Sequence, residues 1–240
     1  MALYHSSDWH LSFLDDGTIQ KPMHTRSWST GTKHYETYLE KLVEEGRMLQ
    51  PDDVLCITGD ITHEVGMQKI LPNLMWIWDH FCCKIVLIRG NHDQKLRRDR
   101  MKELLQASSL WNRMHFVWEG ETVGVGGYEF YCGSNHHEEG FVLPVAGSWV
   151  YSAADVLLCH YPVPAESADL VASRFPKAKA FLSGHIHCTT NTVEGGIKPD
   201  WYEEKAASTD GKTFGNCFFS TGTTDVREWK DGQLIRKILP

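Results

Sequence analysis

The sequence predicts an α/β protein in which two packed, mixed β-sheets form a sandwich flanked by helices. Short apolar runs of strand length alternate with stretches of helical spacing through the first half, the mark of βα units. Further on, apolar and polar residues alternate between glycine turns, which predicts antiparallel strands. The chain has 240 residues, 42% apolar and 23% charged, enough for a sizeable core. No tract is polar enough to read as a linker or a disordered segment, so residues 1–240 are expected to form a single domain.

The elements follow in order. Ala2–Ser6 reads as a strand running straight into Asp8. Residues 11–31 are a long polar connection holding Gly17, Pro22 and Gly31, a length often tied to function. Thr32–Arg47 carries Tyr35, Leu39, Leu42 and Val43 on one helical face. Asp53–Thr58 is an apolar strand ending at Gly59, and Met67–Phe81 is an aromatic-rich helix with Trp76 and Trp78 in the core. Lys84–Arg89 is the clearest strand and stops at Gly90; Leu96–Gln106 is a helix with Arg97, Arg98, Arg100 and Lys102 near its start.

His115–Cys132, punctuated by Gly120, Gly124, Gly126 and Gly127, predicts antiparallel strands. Asn135–Glu139 reads as a polar loop, and Trp201 and Tyr202 as part of another that offers rings for stacking on a base. Asp155–Cys159 is a buried strand ending at His160, Ser167–Arg174 a helix, and Ala178–Ser183 a strand ending at Gly184. Asn216–Ile238 alternates again and predicts a hairpin around Asp231-Gly232.

Charge and cysteine usage narrow the function. A formal charge of −7 disfavours a protein built to grip long duplex DNA and favours small substrates. Residues 1–8 lack the basic and apolar regions of a signal peptide, and no apolar run reaches the ~18 residues of a membrane span. Seven cysteines without a CxxC pair read as reduced, buried thiols in a cytoplasmic protein, not as a zinc–thiolate site.

The chemistry lies at the strand ends. In order they carry Asp8-Trp9-His10, Gly59-Asp60, Gly90-Asn91-His92-Asp93, Cys159-His160 and Gly184-His185-Ile186-His187. Ligands at strand ends are where an α/β sheet places a site. Hydrolysis of an anionic phosphoester is served by two divalent cations about 3.5–4 Å apart, which make hydroxide from water and bind the phosphate oxygens. Such a site needs a bridging carboxylate, for which Asp60 is the candidate. It also needs further oxygen and imidazole ligands: Asp8, His10, Asn91, His160, His185 and His187. His92 is the candidate acid for the leaving oxygen, with Asp93 hydrogen-bonded to its ring. Each motif alone is a common turn or cap; seven candidate ligands in this order at strand ends are not.

This ordered set resembles the signature of the calcineurin-like metallophosphoesterases, from Asp8 to His187. The resemblance implies one metal on Asp8, His10, Asp60 and His187, and a second on Asp60, Asn91, His160 and His185. It implies a metal-bridging hydroxide as nucleophile, His92 as general acid and Asp93 as its partner. The implied cofactors are two divalent ions, Mn²⁺ first, with Fe, Zn, Ni or Mg as alternatives. Asp8–Phe13, Lys21-Pro22-Met23 and Leu71–Ile77 are closest to small bacterial phosphohydrolases of that superfamily.

Departures narrow the choice. Ile61-Thr62-His63-Glu64 stands where protein Ser/Thr phosphatases of the superfamily have an Asp-Arg pair. His63 occupies the place of the purple acid phosphatase tyrosine, and His92 that of an arginine in lipid-A precursor hydrolases. The expected activity is phosphodiesterase or phosphatase action on a small or nucleotide-type phosphoester. The alternatives are a small nuclease or nucleic-acid end-processing phosphatase, and a non-catalytic metal-binding scaffold. Arg97, His136 and His137 are candidate substrate contacts.

Overall fold

Leu3–Ser6 (β1), Val54–Thr58 (β2), Lys84–Ile88 (β3) and Met114–Phe116 (β4) lie side by side as parallel strands in the computed structural model. Arg236–Leu239 (β13) adds antiparallel to β1, giving a five-stranded sheet in the order β13-β1-β2-β3-β4. Thr122–Val125 (β5), Tyr128–Cys132 (β6), Val156–Leu158 (β9), Ala180–Ser183 (β10), Thr190–Asn191 (β11) and Tyr202–Lys205 (β12) make a second sheet, ordered β11-β12-β10-β9-β6-β5. Its centre is parallel and its outer pairs antiparallel. Ser134–His136 (β7) and Gly140–Val142 (β8) form a separate hairpin. The structure describes residues 1–13, 18, 31–63, 65–136, 140–142, 154–161, 173–185, 190–191, 202–205 and 235–240.

Alternation along the strands builds two cores. Val54, Cys56, Val86 and Ile88 face the second sheet and meet Phe130, Cys132, Val156, Leu158, Ala180 and Leu182. Leu55, Ile57, Ile85 and Leu87 point the other way, into a core capped by the helices Gly31–Gly46 (α1), Ile70–His80 (α2) and Arg98–Ala107 (α3). Strands buried on both faces read as continuous apolar runs, which is why β2 and β3 stood out in the sequence. Trp9 and Phe13 join the helix-side core against Trp76 and Phe81. The buried Asn73 of α2 pins that segment: its Oδ1 accepts the Phe13 N–H at 2.9 Å.

Four expectations are corrected. Met67–Phe81 is not one helix but a 3₁₀ turn, Met67–Lys69, followed by α2. Pro72 has no N–H for the Gln68 carbonyl and its ring would clash there, so the α-helix begins only at Ile70. β4 is parallel to β3, not part of an antiparallel run. Residues 134–136 and 140–142 pair as strands instead of forming an open loop, and Tyr202 begins β12. Of the expected Ser167–Arg174 helix only the helical pair Ser173 and Arg174 is described, and the Asp231-Gly232 turn lies outside the described residues.

Among the described residues, no helix is long and apolar enough to cross a membrane. Cys56, Cys82, Cys83, Cys132 and Cys159 are free thiols, and all but Cys82 are buried. Burial pushes Cys83 and Cys159 up to about 12, and Cys56 and Cys132 well above the ordinary thiol value. The thiolate is the reactive form. Iodoacetamide at pH 8 should therefore label Cys82 and spare the other four in the folded protein, as read by peptide mass mapping. Equal labelling of all five would contradict this packing.

Candidate metal centre

The parallel strands of both sheets end at one place. Asp8 follows β1, Asp60 follows β2, Asn91 follows β3, His160 follows β9 and His185 follows β10. Hydrogen bonds tie these strand ends together: Asp8 N–H to the Gly59 carbonyl (3.0 Å), His10 N–H to the Asp60 carbonyl (2.8 Å) and Gly184 N–H to the His160 carbonyl (3.0 Å). The His185 N–H donates to the Asp8 carboxylate at 3.0 Å, joining the first motif to the last.

Backbone strain concentrates here. Among the described residues the non-glycine positions with positive φ are Asp8 (56°), His10 (47°), Asp60 (47°) and His185 (66°). A left-handed residue costs on the order of 1–3 kcal/mol, and such strain gathers at functional sites. The glycines beside them serve a steric need. Gly59 turns at φ 92°, and a Cβ there would sit 2.6 Å from His160 Nδ1. A Cβ on Gly90 would collide with Asp60 N and Oδ1, and one on Gly184 with Ser7 Oγ and Asp8 Oδ2. Each motif's glycine thus makes room for another motif's polar side chain.

The donor chemistry tests whether cations belong here. The Thr58 carbonyl lies 2.8 Å from His160 Nδ1 and also accepts the Ser7 hydroxyl at 3.0 Å. A carbonyl can only accept, so Nδ1 of His160 carries the hydrogen. In the neutral ring Nε2 is then a bare lone pair, facing Asn91 Oδ1 at 2.8 Å and Asp60 Oδ2 at 3.4 Å. His185 Nδ1 approaches the same Asn91 oxygen at 3.0 Å. Asp60 Oδ2 is buried and accepts no hydrogen bond among the described residues. On its other side stands His10 Nε2, 3.7 Å away, and ligand atoms of Asp8, His10 and Asp60 lie within 4.8 Å of one another.

Lone pairs that converge repel unless positive charge lies among them. For the protein atoms alone that charge is a proton. Burial opposes charge on His160, yet the Asp60 and Asp8 carboxylates push its pKa up to about 9. Burial likewise raises Asp60, but the charges of His160, His10 and His92 hold it far below the usual carboxylate range. Converging carboxylate, amide and imidazole donors fit divalent ions. Burial pushes the neighbouring Cys159 thiol up to about 12.

His92 is half-buried at the edge of this cluster, its ring 4.9 Å from that of His10. Its backbone N–H donates to Asp60 Oδ1 at 2.8 Å. The expected pairing of Asp93 with His92 is corrected. Asp93 is fully buried and accepts from Ile61 N (3.0 Å), Gly90 N (3.0 Å), Thr62 N (2.9 Å) and Thr62 Oγ1 (2.9 Å), none of them His92. Burial and the Asp60 charge push its pKa up to about 6, against those donors, which favour the ionised form. It braces the loops after β2 and β3.

His63 went unrecognised as part of the cluster: its ring stacks on His92 at 4.7 Å and its Nδ1 lies 3.4 Å from His10 Nδ1. Its place three residues after Asp60 was the only available signal. His5 is structural, with Nε2 2.8 Å from Thr58 Oγ1. Arg97 is exposed just before α3, while its neighbours Arg98 and Arg100 pair with Glu121 and Glu103. His136 is described only through the backbone of β7; His137 and His187 lie outside the described residues.

The family model for calcineurin-like phosphoesterases matches residues 1–189. Members of that family are dinuclear, divalent-metal-dependent phosphoester hydrolases. Among solved structures the chain is similar to the sulfate thiohydrolase SoxB of Thermus thermophilus, at 14% identity and a TM-score of 0.44. The match covers 88% of this chain and 52% of SoxB, so the chain spans about half the length of that protein. No curated protein matches.

Asp93→Asn puts an amide N–H₂ among four donors. It should lower stability by about 1–3 kcal/mol in urea unfolding, the cost of a buried group left unmatched. A loss in turnover at unchanged stability would instead return Asp93 to the chemistry.

Proposed function

The chain belongs to the calcineurin-like phosphoesterase family, and we propose that it hydrolyses a small phosphoester, a phosphodiester or phosphomonoester of nucleotide type, with two divalent ions. The observation that carries this reading is Asp60 Oδ2: buried, accepting no hydrogen bond among the described residues, and set between His10 Nε2 and His160 Nε2. Asp8, His10, Asp60 and His187 would hold one ion, and Asp60, Asn91, His160 and His185 the other. Mn²⁺ is the first choice for a set of oxygen and imidazole donors, with Fe, Zn, Ni or Mg as alternatives.

Bound there, the ions supply Lewis acidity and lower the pKa of water, which makes a nucleophile available at neutral pH. The protein's own residues do the rest. Asp60 places one carboxylate oxygen at both sets of ligands and is held by the His92 N–H on the other. The Thr58 carbonyl keeps the hydrogen of His160 on Nδ1, so Nε2 stays available. The His92 ring, half-exposed beside the cluster, donates a proton to the leaving oxygen. Arg97, exposed at the start of α3, is a candidate contact for a substrate phosphate, with His136 and His137.

Candidate ligands from both sheets meet in one cluster, which supports a single domain over 1–240. Free thiols suit a reducing cytoplasm.

The test is turnover of bis-aryl and mono-aryl phosphates by metal-free protein reloaded with Mn²⁺. Their ratio separates diesterase from monoesterase. His92→Ala should lower kcat about 10²–10⁴-fold while both ions remain bound. No turnover of either ester with any of the five metals, or an unchanged kcat in His92→Ala, would defeat the reading. Salt-sensitive cleavage of single-stranded DNA instead of the small esters would favour a nuclease.

A further inference from the structure

His10 and His160 are oriented in different ways. His160 leans its outer nitrogen on a backbone carbonyl. The outer nitrogen of His10, Nδ1, faces another side chain: Nδ1 of His63, 3.4 Å away. The loops after β1 and β2 run parallel here, through a bridge between Leu11 and Thr62, a His10 N–H to Asp60 carbonyl bond and a His63 N–H to Leu11 carbonyl bond. That pairing brings the two rings together across 53 residues of chain.

Two ring nitrogens at hydrogen-bond distance share one hydrogen, so one donates and the other accepts. If His63 donated, the neutral His10 would carry its hydrogen on Nε2, aimed at Asp60 Oδ2, and that nitrogen could not bind a cation. If His63 accepts, the hydrogen sits on His10 Nδ1 and Nε2 is bare towards Asp60. A metal-ligating histidine depends on the partner of its other nitrogen for tautomer and ring orientation.

We propose that His63 is the positioning residue for His10. Its Nδ1 accepts the His10 Nδ1–H and so selects the tautomer that binds the ion shared with Asp8 and Asp60. The inference rests on the two-metal reading above. His63 also stacks on His92, with 29° between the rings, so the same side chain ties the ligand to the proposed acid.

The test is calorimetric titration of metal-free protein with Mn²⁺. Wild type should take up two ions per chain. His63→Phe keeps a ring against His92 but cannot accept; it should bind one ion as tightly as wild type and the other about 10–100-fold more weakly. His63→Gln, whose carbonyl can accept, should recover most of that loss. Thermal unfolding of the metal-free proteins checks that each variant is folded, and His63→Ala replaces His63→Phe if the latter is not. Two ions held by His63→Phe at wild-type affinity overturn the proposal and leave the two-metal reading intact. Three ions in wild type, with one lost in the variant, also overturn it, because His63 is then a ligand. No ion in wild type overturns both.

Discussion

A buried carboxylate oxygen that accepts no hydrogen bond among the described residues, Asp60 Oδ2, is the constraint around which this molecule is arranged. Removing an ionised carboxylate from water costs several kcal/mol unless positive charge or donors replace the solvent. Its sister oxygen has a donor in the His92 N–H. Oδ2 has imidazole nitrogens on two sides, and one of them has its hydrogen committed elsewhere. For the protein atoms alone a proton on His160 supplies the missing positive charge; a cation among the same atoms would supply it instead.

The fold sustains this cost by converging on it. The central parallel strands of both sheets end at the cluster, and the sandwich core of β2, β3, β9 and β10 behind it is fully buried. Four residues in left-handed conformation persist because neighbouring strand ends hold them, through backbone bonds such as Asp8 N–H to Gly59 and His10 N–H to Asp60. Asp93 adds a second layer: one carboxylate gathers the N–H groups of Ile61, Thr62 and Gly90 and so ties the loop carrying Asp60 to the loop carrying Asn91. Gly90 lets that packing close, because any side chain there would strike Asp60.

Much of this was legible in the chain. Strands buried on both faces announce themselves as apolar runs, and each run ended at a motif, so the strand-end placement of Asp8, Asp60, Asn91, His160 and His185 could be read directly. The register of β4 could not, because a three-residue strand reads the same whether its partner runs parallel or antiparallel. The hydrogen-bond partners of Asp93 were not legible for a related reason. Adjacency to His92 suggested a pair, but the Asp93 oxygens are claimed by the amides of Ile61 and Thr62, 32 and 31 residues earlier in the chain, and of Gly90.

Local pattern by itself determined the kinds of ligand, their order and the strands that carry them, because apolar periodicity and turn chemistry act over a few residues. Tertiary structure decided which atoms face each other: Nδ1 of His160 on the Thr58 carbonyl, Nδ1 of His10 against His63, and Oδ2 of Asp60 between two imidazoles. Those contacts arise from the pairing of strand ends between 53 and 102 residues apart. Such register is set by the packing of whole sheets and leaves no mark on the short segments that meet.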